Sequence, residues 1–320
     1  MKKIVECVPN FSEGKDQEKI KRIVSVFDQH REVKIINVEA DADYNRTVVT
    51  MIGEPKDVIE ALMSLTEVCL KEIDLTKHKG EHARMGAIDV IPFIPIANVK
   101  MSECVEYANQ LGKRIADKFN IPSYLYAEAA KQPNRVQLPH IRKGEFEGLD
   151  EKMQNPEWQP DFGPNHKHPT FGAIGIGARD FLIAYNIDIQ TDDQKITNRF
   201  AKALRASSGG FQYVQAGPVY LENRGHTQVT MNILNYKKNP IYRIFELVKM
   251  EAKRYQCEVP SAEIVGLVPK DALIRSLRYY YGVEQRPFDK EMPLSEVVEG
   301  CRKYLGFRDF DQTKIIDYFL

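Results

Sequence analysis

The sequence KGEHARMGAIDVIPFIPI occupies residues 79–96 and joins a polar half to an apolar half. The polar half has glycines at both ends, which favours a loop over a helix. It carries four ionisable side chains: Lys79, Glu81, His82 and Arg84. The apolar half, residues 88–96, predicts a buried strand that is stiffened by prolines. A loop that continues into a core strand gives reactive side chains a rigid mount.

His82 is the candidate that this loop offers for proton transfer. A histidine side chain changes charge near neutral pH, so it can both give and take a proton under working conditions. A loop histidine beside a glutamate is more often a solvated polar group, and titratable groups mark functional sites only probabilistically. From the loop alone, both interpretations of His82 stand.

The predicted elements follow the same order twice. Strand, helix, strand, strand, helix, strand runs from residue 3 to 96, and the order recurs from 181 to 268. Each run is typical of a split βαβ unit of ferredoxin-like type, in which helices cover one face of a mainly antiparallel sheet. We predict an α+β fold with two ferredoxin-like α/β subdomains, residues 1–179 and 180–320, and a helical appendage at the C-terminal end.

The segment between the two halves has a different composition. Residues 129–177 are rich in proline and glycine and contain Trp158, the single tryptophan. A loop of this length inside a compact protein is usually functional or a linker. It includes GPNHKHPTFG, residues 163–172, whose glycines let the backbone approach a ligand closely.

Composition narrows the classes of partner. Lys+Arg and Asp+Glu number 45 each, and this balance argues against a nucleic-acid binder. The five cysteines are widely spaced and form no CxxC, so we expect no disulfide framework and no cysteine-rich zinc site. No apolar run reaches about 18 residues, and the N-terminal stretch has no signal-peptide pattern. We therefore expect no membrane association and a cytoplasmic location.

A metal-dependent hydrolase is one alternative. His78 and His82 have the i, i+4 spacing of a zinc-binding helix, with Glu81 beside them. Gly80 lies between the two histidines and disfavours that helix. His166 and His168 add ligands only if residues 163–172 fold over the loop. Because the set matches no recognised ligand motif, we predict no metal site.

Separated blocks of the sequence resemble one known family in the same order. They are ECVPNFSEG (6–14), NRTV (45–48), HKGEHARMGAIDVIPFIP (78–95), YLYAEAA (124–130), IRKGEFEGL (141–149), PDFGP (160–164), GARDFLIAYNI (177–187) and VGLVP (265–269). The family is that of glutamate formiminotransferase, which also forms the N-terminal half of the bifunctional formiminotransferase-cyclodeaminase. The similarity extends over essentially the whole chain, which makes it far more specific than a match to any one motif.

The resemblance implies a fold, a reaction and an assembly. The fold is two α/β subdomains with a folate-binding substrate tunnel between them, and the family forms homodimers. The implied reaction, a step of histidine degradation and one-carbon metabolism, moves a formimino group from N-formimino-L-glutamate to N5 of the co-substrate tetrahydrofolate. Its products are L-glutamate and 5-formiminotetrahydrofolate. A non-catalytic folate-binding protein is the second alternative, because a fold does not fix a function.

The resemblance also implies roles for residues. His82 matches the catalytic histidine of the family, and Glu39 matches the acidic position taken as its partner. The folate-contacting segment matches ten consecutive residues: Gly163, Pro164, Asn165, His166, Lys167, His168, Pro169, Thr170, Phe171 and Gly172. Amidine exchange removes one proton and delivers another, which a single imidazole can do in turn. Both substrates carry carboxylates, so we predict that the nearby Arg46 and Arg84 bind them.

Overall fold

Each half of the chain builds a β-sheet with helices packed against it. The computed structural model describes residues 2–42, 44–80, 83–222 and 224–320. The chain divides into two compact units, Met1–Asp180 and Phe181–Leu320. None of the helices in the described ranges is both long enough and apolar enough to cross a membrane.

The first unit contains a mixed sheet. Its strands are β1 (Ile4–Cys7), β2 (Asn10–Phe11), β3 (Lys34–Asp41), β4 (Arg46–Gly53), β5 (Ile88–Ala97), β6 (Ser123–Ala127) and β7 (Ile174–Ala178). Its α-helices are α1 (Gln17–Val24), α2 (Pro55–Glu72), α3 (Met101–Phe119), α4 (Leu138–Arg142) and α5 (Leu149–Met153). β1 and β2 lie in succession between β4 and β5, and β3 pairs with β4. These pairings are antiparallel, whereas β5, β7 and β6 run parallel to one another.

Side-chain alternation along β1 divides the first unit into two layers. Val5 and Cys7 are buried in a core with α1, α2 and α3, so Glu6 between them points to the opposite face. On the opposite face a second cluster packs Tyr124 and Tyr126 against residues of α4 and α5. Residues 129–177, predicted to be a long loop, therefore contain short helices that pack on the sheet.

The predicted strand at residues 88–96 is confirmed as β5, which runs through both of its prolines. Its residues from Ile88 to Ile94 are buried, as expected for a strand with sheet neighbours and packing on both faces. Fully burying a side chain such as Ile91 or Phe93 contributes about 1.5–3 kcal/mol. The polar loop at residues 79–86 is thus joined to one of the most buried strands of the unit.

The second unit contains an antiparallel sheet. Its strands are β8 (Ile183–Ile189), β9 (Val214–Leu221), β10 (His226–Ile233) and β11 (Ala262–Val265). Its α-helices are α6 (Gln194–Leu204), α7 (Ile241–Arg254), α8 (Lys270–Val283) and α9 (Leu294–Leu305). The strand order is β11-β8-β10-β9, which repeats the order β5-β1-β4-β3 of the first unit.

Candidate active site

Asn45 holds the loop that was predicted to be catalytic. Its side-chain amide donates to the carbonyl oxygen of Lys79 at 2.8 Å, and its backbone carbonyl accepts from Nε2 of His78 at 2.9 Å. Glu81 and His82 lie outside the described residues. The structure therefore defines the site through the residues on either side of them.

His78 is held in one neutral tautomer by two neighbours. Nε2 donates to the Asn45 carbonyl, so the hydrogen is on Nε2, and Nδ1 accepts from Nε of Arg84 at 3.4 Å. Burial and the nearby Arg84 guanidinium lower the pKa of His78, while the hydrogen bond to Asn45 opposes that shift. With both ring nitrogens engaged, His78 has no lone pair free for a metal. In the described part of the chain, no three histidine, cysteine, aspartate or glutamate residues form a group that could hold a metal ion.

Arg84 already pairs with two carboxylates. Its guanidinium donates to Glu145 at 2.8 Å and to Glu147 at 2.7 Å, and its side chain is 11% exposed. This fork ties the C-terminal side of the loop to residues 145–147. A substrate carboxylate would have to compete with these two glutamates, so the predicted contact between Arg84 and substrate remains a prediction.

Asp89 fixes the point where the loop enters β5. One carboxylate oxygen accepts from the backbone N–H of Met85 at 2.8 Å, and the other accepts from Nε of Arg142 at 2.7 Å. Asp89 is 3% exposed, so both bonds form in a desolvated setting where they are strong.

The segment 163–172 meets this loop directly. The backbone N–H of Ala87 donates to the Phe171 carbonyl at 2.8 Å, and that of Ala173 donates to the Met85 carbonyl at 2.9 Å. The approach requires two glycines. A Cβ on Gly86 would lie 2.0 Å from the Ala173 carbonyl oxygen, and one on Gly172 would lie 2.1 Å from that of Met85. Two segments far apart in sequence are therefore joined with no room for side chains between them.

The segment 163–172 makes its own local contacts. Nδ1 of His168 accepts from the Phe171 backbone N–H at 3.1 Å, and burial lowers the pKa of His168, with His166 adding to the shift. Lys167 lies over the ring of Phe146 and donates to the Phe146 carbonyl at 3.1 Å. Exposed positions are Gly163, Asn165, His166 and Pro169. The exposed positions leave part of the segment accessible to a ligand, as the folate prediction requires.

Glu39 and Arg46 lie on adjacent strands. Glu39 is exposed on β3, opposite Val48, and accepts from the Asn37 amide at 2.6 Å. Arg46 is half-buried at the start of β4, with its guanidinium 5.6 Å from the Tyr44 ring centroid. Burial and the nearby Arg142 lower the pKa of Arg46. The structure tests neither the pairing of Glu39 with His82 nor the binding of substrate by Arg46.

Sequence reasoning missed all but Arg46 in a set of charged and polar side chains of the first unit. Arg179 is an electrostatic neighbour of Glu6 and Tyr126, Arg142 is a neighbour of Tyr126 and Arg46, and Asp89 bonds to Arg142. We call this set the charged row: Glu6, Arg46, Asp89, Tyr126, Arg142 and Arg179. The available signal was a single charge inside an apolar strand, at Glu6 in β1 and at Asp89 in β5.

Glu6 stands out within the charged row. It is 3% exposed, and burial raises its pKa to about 7 although Arg179 acts in the opposite direction. Burial likewise raises the pKa of Tyr126 to about 12, so that phenol stays protonated and can donate a hydrogen bond at neutral pH. The row thus combines fixed positive charge with a carboxyl group that titrates near neutrality.

The sheet of the second unit also carries polar side chains on one face. Gln228 on β10 donates to Asp188 on β8 at 2.8 Å and to Glu263 on β11 at 2.9 Å. Arg308 donates to the same Asp188 at 3.1 Å. We call Asn186, Asp188, Gln228, Thr230 and Glu263 the second polar face, since the strand registers place them side by side. Val229 and Met231, on the opposite face of β10, are buried.

The first unit combines the charged row, which has groups that can exchange protons, with a loop that glycines join closely to its neighbour. This combination is typical of an enzyme that acts on a small charged molecule. The chain matches the N-terminal subdomain of the formiminotransferase domain over residues 4–179. Residues 184–320 match the formiminotransferase domain. This chain belongs to the formiminotransferase family.

Three relatives illustrate the similarity. Glutamate formimidoyltransferase of Streptococcus pyogenes serotype M1 is 42% identical, over 91% of this chain and 98% of that protein. Glutamate formimidoyltransferase of Thermoplasma acidophilum is 44% identical, over 87% of this chain and 92% of that protein. Formimidoyltransferase-cyclodeaminase of Rattus norvegicus is 42% identical, over 89% of this chain but only 54% of that protein.

Proposed function

We propose that this protein is a glutamate formimidoyltransferase. It transfers the formimino group of N-formimino-L-glutamate to N5 of tetrahydrofolate and releases L-glutamate and 5-formiminotetrahydrofolate. The names of relatives that match it along almost their whole length support this reaction. The structural observation that carries the proposal is the contact of Gly86 with residues 172–173, because it joins the loop of His82 to the segment assigned to folate.

The chemistry requires proton transfer at two nitrogens. N5 of tetrahydrofolate attacks the imino carbon and loses a proton, and the glutamate nitrogen gains one as it leaves the tetrahedral intermediate. We assign both transfers to His82 as general base and then general acid, with Glu39 as its acidic partner. No metal is needed, since the amidine is itself a good electrophile once protonated.

The residues predicted to bind the two substrates all lie in the first unit. Residues 163–172 border the folate, and Arg46 and Arg84 receive carboxylates. Arg46 lies in the charged row, and Arg84 supports the loop through Glu145 and Glu147. Holding both substrates in one orientation supplies much of the rate acceleration in such bimolecular reactions.

The finer fold and the setting complete the proposal. We assign each unit to the ferredoxin-like type, supported by the strand order that both units share. We place a substrate tunnel between the two subdomains, as the family resemblance implies. The enzyme functions as a cytoplasmic homodimer in histidine degradation and one-carbon metabolism, without nucleic-acid or membrane partners.

Incubation with N-formimino-L-glutamate and tetrahydrofolate tests the reaction. We expect release of L-glutamate that depends on tetrahydrofolate and is unchanged by a metal chelator. Glutamate release without tetrahydrofolate, abolished by the chelator, would instead indicate a metal-dependent hydrolase. Tetrahydrofolate binding without any glutamate release would indicate a non-catalytic folate-binding protein.

A further inference from the structure

Glu6 carries a buried carboxyl group to which no described residue bonds. Its side chain is on the face of β1 opposite to Val5 and Cys7, and the residue is 3% exposed. None of the residues that the structure describes donates a hydrogen bond to it or forms an ion pair with it. Burying a carboxylate without a partner is strongly unfavourable, so such a group usually marks a place that a ligand or a proton fills.

The strand register places Glu6 close to a fixed cation. Glu6 and Cys7 lie opposite Ile94 and Phe93 of β5, and the backbone N–H of Arg179 donates to the Phe93 carbonyl at 3.1 Å. The Arg179 guanidinium donates to the Asp180 carbonyl at 3.1 Å and forms no carboxylate pair among the described residues. Glu6 and Arg179 therefore lie near each other without neutralising each other.

Tyr126, on β6, packs against the backbone close to Arg179. A Cβ on Gly177 would lie 2.6–2.8 Å from atoms of the Tyr126 ring, so this ring covers the glycine that precedes Ala178 and Arg179. Ile52 and Ile94 are the cross-strand neighbours of Glu6 and are both buried. Apart from the nearby Arg179 guanidinium, the surround of the Glu6 carboxyl group is apolar and aromatic, and such a carboxyl group can accept a small, flat cation.

We propose that Glu6 binds the cationic formimino group of the donor and so selects formimino donors over neutral acyl donors. This inference rests on the proposed function. A formimino group is an amidine that is protonated at neutral pH, and its planar N–C–N unit presents N–H groups in the geometry that a carboxylate accepts as a bidentate pair. The pair replaces the proton on Glu6 and leaves neither charge unpaired.

The inference separates two donors that differ by one heteroatom. N-formimino-L-glutamate carries the cation, whereas N-formyl-L-glutamate has a neutral amide in its place. The Glu6 carboxylate attracts the cationic formimino donor, whereas it forms no charge pair with the neutral formyl donor. Glu6→Gln keeps the shape of the side chain but removes its charge. Its amide N–H also faces an N–H of the ligand, and two donors cannot form a hydrogen bond.

The test measures the binding of each donor in the full chain. Calorimetry without tetrahydrofolate gives the Kd of N-formimino-L-glutamate and of N-formyl-L-glutamate for the wild type, Glu6→Gln and the control Glu18→Gln. Glu18 is exposed on α1 and pairs with Lys21, so it matches the change in charge without touching the sheet. We expect Glu6→Gln to weaken the formimino donor about 10–100-fold, the range for losing a charge-assisted pair, and to change the formyl donor less than twofold. We expect Glu18→Gln to change the Kd of neither donor.

Kinetics give a second readout. In the same variant, KM for N-formimino-L-glutamate rises by a similar factor and KM for tetrahydrofolate stays constant. Equal weakening of both donors, or an unchanged Kd for the formimino donor in a variant that melts like the wild type, overturns the role of Glu6. If the wild type binds the donor but releases no glutamate, the proposed function fails while the binding data still decide the inference.

Discussion

At the scale of single residues, polar groups of the first unit differ in whether a neighbour already bonds to them. His78 bonds to Asn45 and Arg84, and Arg84 also bonds to the glutamates of residues 145–147. No described residue bonds to the Glu6 carboxyl group, and burial raises its pKa to about 7. The bonded groups maintain the geometry of the loop, whereas Glu6 can change its protonation or take a ligand.

Glu6 makes the stability of the protein depend on pH in a defined direction. Its folded-state pKa lies above its unfolded value, so its stabilising contribution is present below the unfolded pKa and is lost as the pH rises through about 7. A shift of this size corresponds to about 3 kcal/mol. Glu6→Gln stays neutral, so we expect it to unfold with a free energy about 3 kcal/mol higher than the wild type at pH 8.

Urea unfolding between pH 5 and pH 8 measures this difference. The gap between Glu6→Gln and the wild type narrows to below about 1 kcal/mol near pH 5, where the wild-type carboxyl is protonated in the folded state and partly protonated when unfolded. Glu18→Gln removes the same charge from an exposed position and serves as the control. Parallel stability curves for Glu6→Gln and the wild type would show that Glu6 is not desolvated.

The assignment of His82 leads to a prediction about turnover. His82→Ala is expected to lower kcat by about two to four orders of magnitude, as expected for a general acid–base group, and to change tetrahydrofolate binding much less. His78→Ala removes two hydrogen bonds of a neutral imidazole and is expected to keep most of its turnover while losing about 1–3 kcal/mol of stability. Steady-state kinetics and thermal unfolding of both variants measure this. Near-normal turnover in His82→Ala, or its loss in His78→Ala alone, would move the catalytic role to another group.

At this scale, the sequence predicted the loop around His82 but not the side chains that bond to it. The order of ionisable groups around His82 was visible as a local pattern. The partners of Arg84 come from residues 145 and 147, and Glu6 and Arg179 meet across β5, so none of these pairs has a local signal in the sequence. A charge in an apolar strand could have identified Glu6, but only the register shows which face it occupies.

At the scale of elements, an apolar run predicted β5 and hydrophobic alternation predicted β10. Hydrophobic periodicity could not predict that residues 129–177 contain α4, α5 and β7, because short helices and a glycine-rich strand give weak periodic signals. The strand IGIGA of β7 has two glycines, and Tyr126 fills the space above one of them. Its identity as a strand depends on parallel pairing with β5 and β6.

The junction of the loop with residues 163–172 depends on Gly86. Gly86→Ala places a methyl group 2.0 Å from one backbone carbonyl oxygen and 2.6 Å from another, so the two segments must separate. We expect a loss of about 3 kcal/mol or more in stability and a rise in KM for tetrahydrofolate. Chemical denaturation and steady-state kinetics measure both effects.

Gly217→Ala is the matched control for this junction. Gly217 lies in β9, and a Cβ there meets no atom within 4 Å. The same substitution is expected to change stability by no more than about 1 kcal/mol, since the methyl group has space. If Gly86→Ala behaves like this control, the contact between the loop and the segment is looser than the structure indicates.

At the scale of the whole molecule, the chain repeats one arrangement with different side chains. Strand β4 begins with RTVVTM at residue 46, and strand β10 begins with HTQVTM at residue 226. Each strand follows a residue with positive φ, which is Asn45 before β4 and Gly225 before β10. Both strands hold the same place in the strand order. The first sheet carries the charged row and the second carries the second polar face, so each repeat has polar side chains on the side opposite to its apolar core.

The proposed tunnel leads to a prediction about Gly217. Gly217 pairs with Thr230 and so lies on the second polar face, where an added Cβ meets open space. A large side chain is therefore accommodated by the fold, but it obstructs a ligand that lies along this face. We expect Gly217→Trp to keep the melting temperature within a few degrees and to weaken tetrahydrofolate binding at least tenfold. Gly282→Trp, on α8 with equally open space, is expected to change neither property.

Hydrogen exchange in the same variants locates the effect. In the wild type and in Gly282→Trp, tetrahydrofolate is expected to slow exchange in residues 163–172, because a ligand that borders the segment restrains its exposed backbone. In Gly217→Trp this protection disappears at the same ligand concentration, although the substitution is in the other unit. Protection in Gly217→Trp equal to that in the wild type would place the folate on the first unit alone, and the proposed tunnel would then be abandoned while the transferase assignment stands.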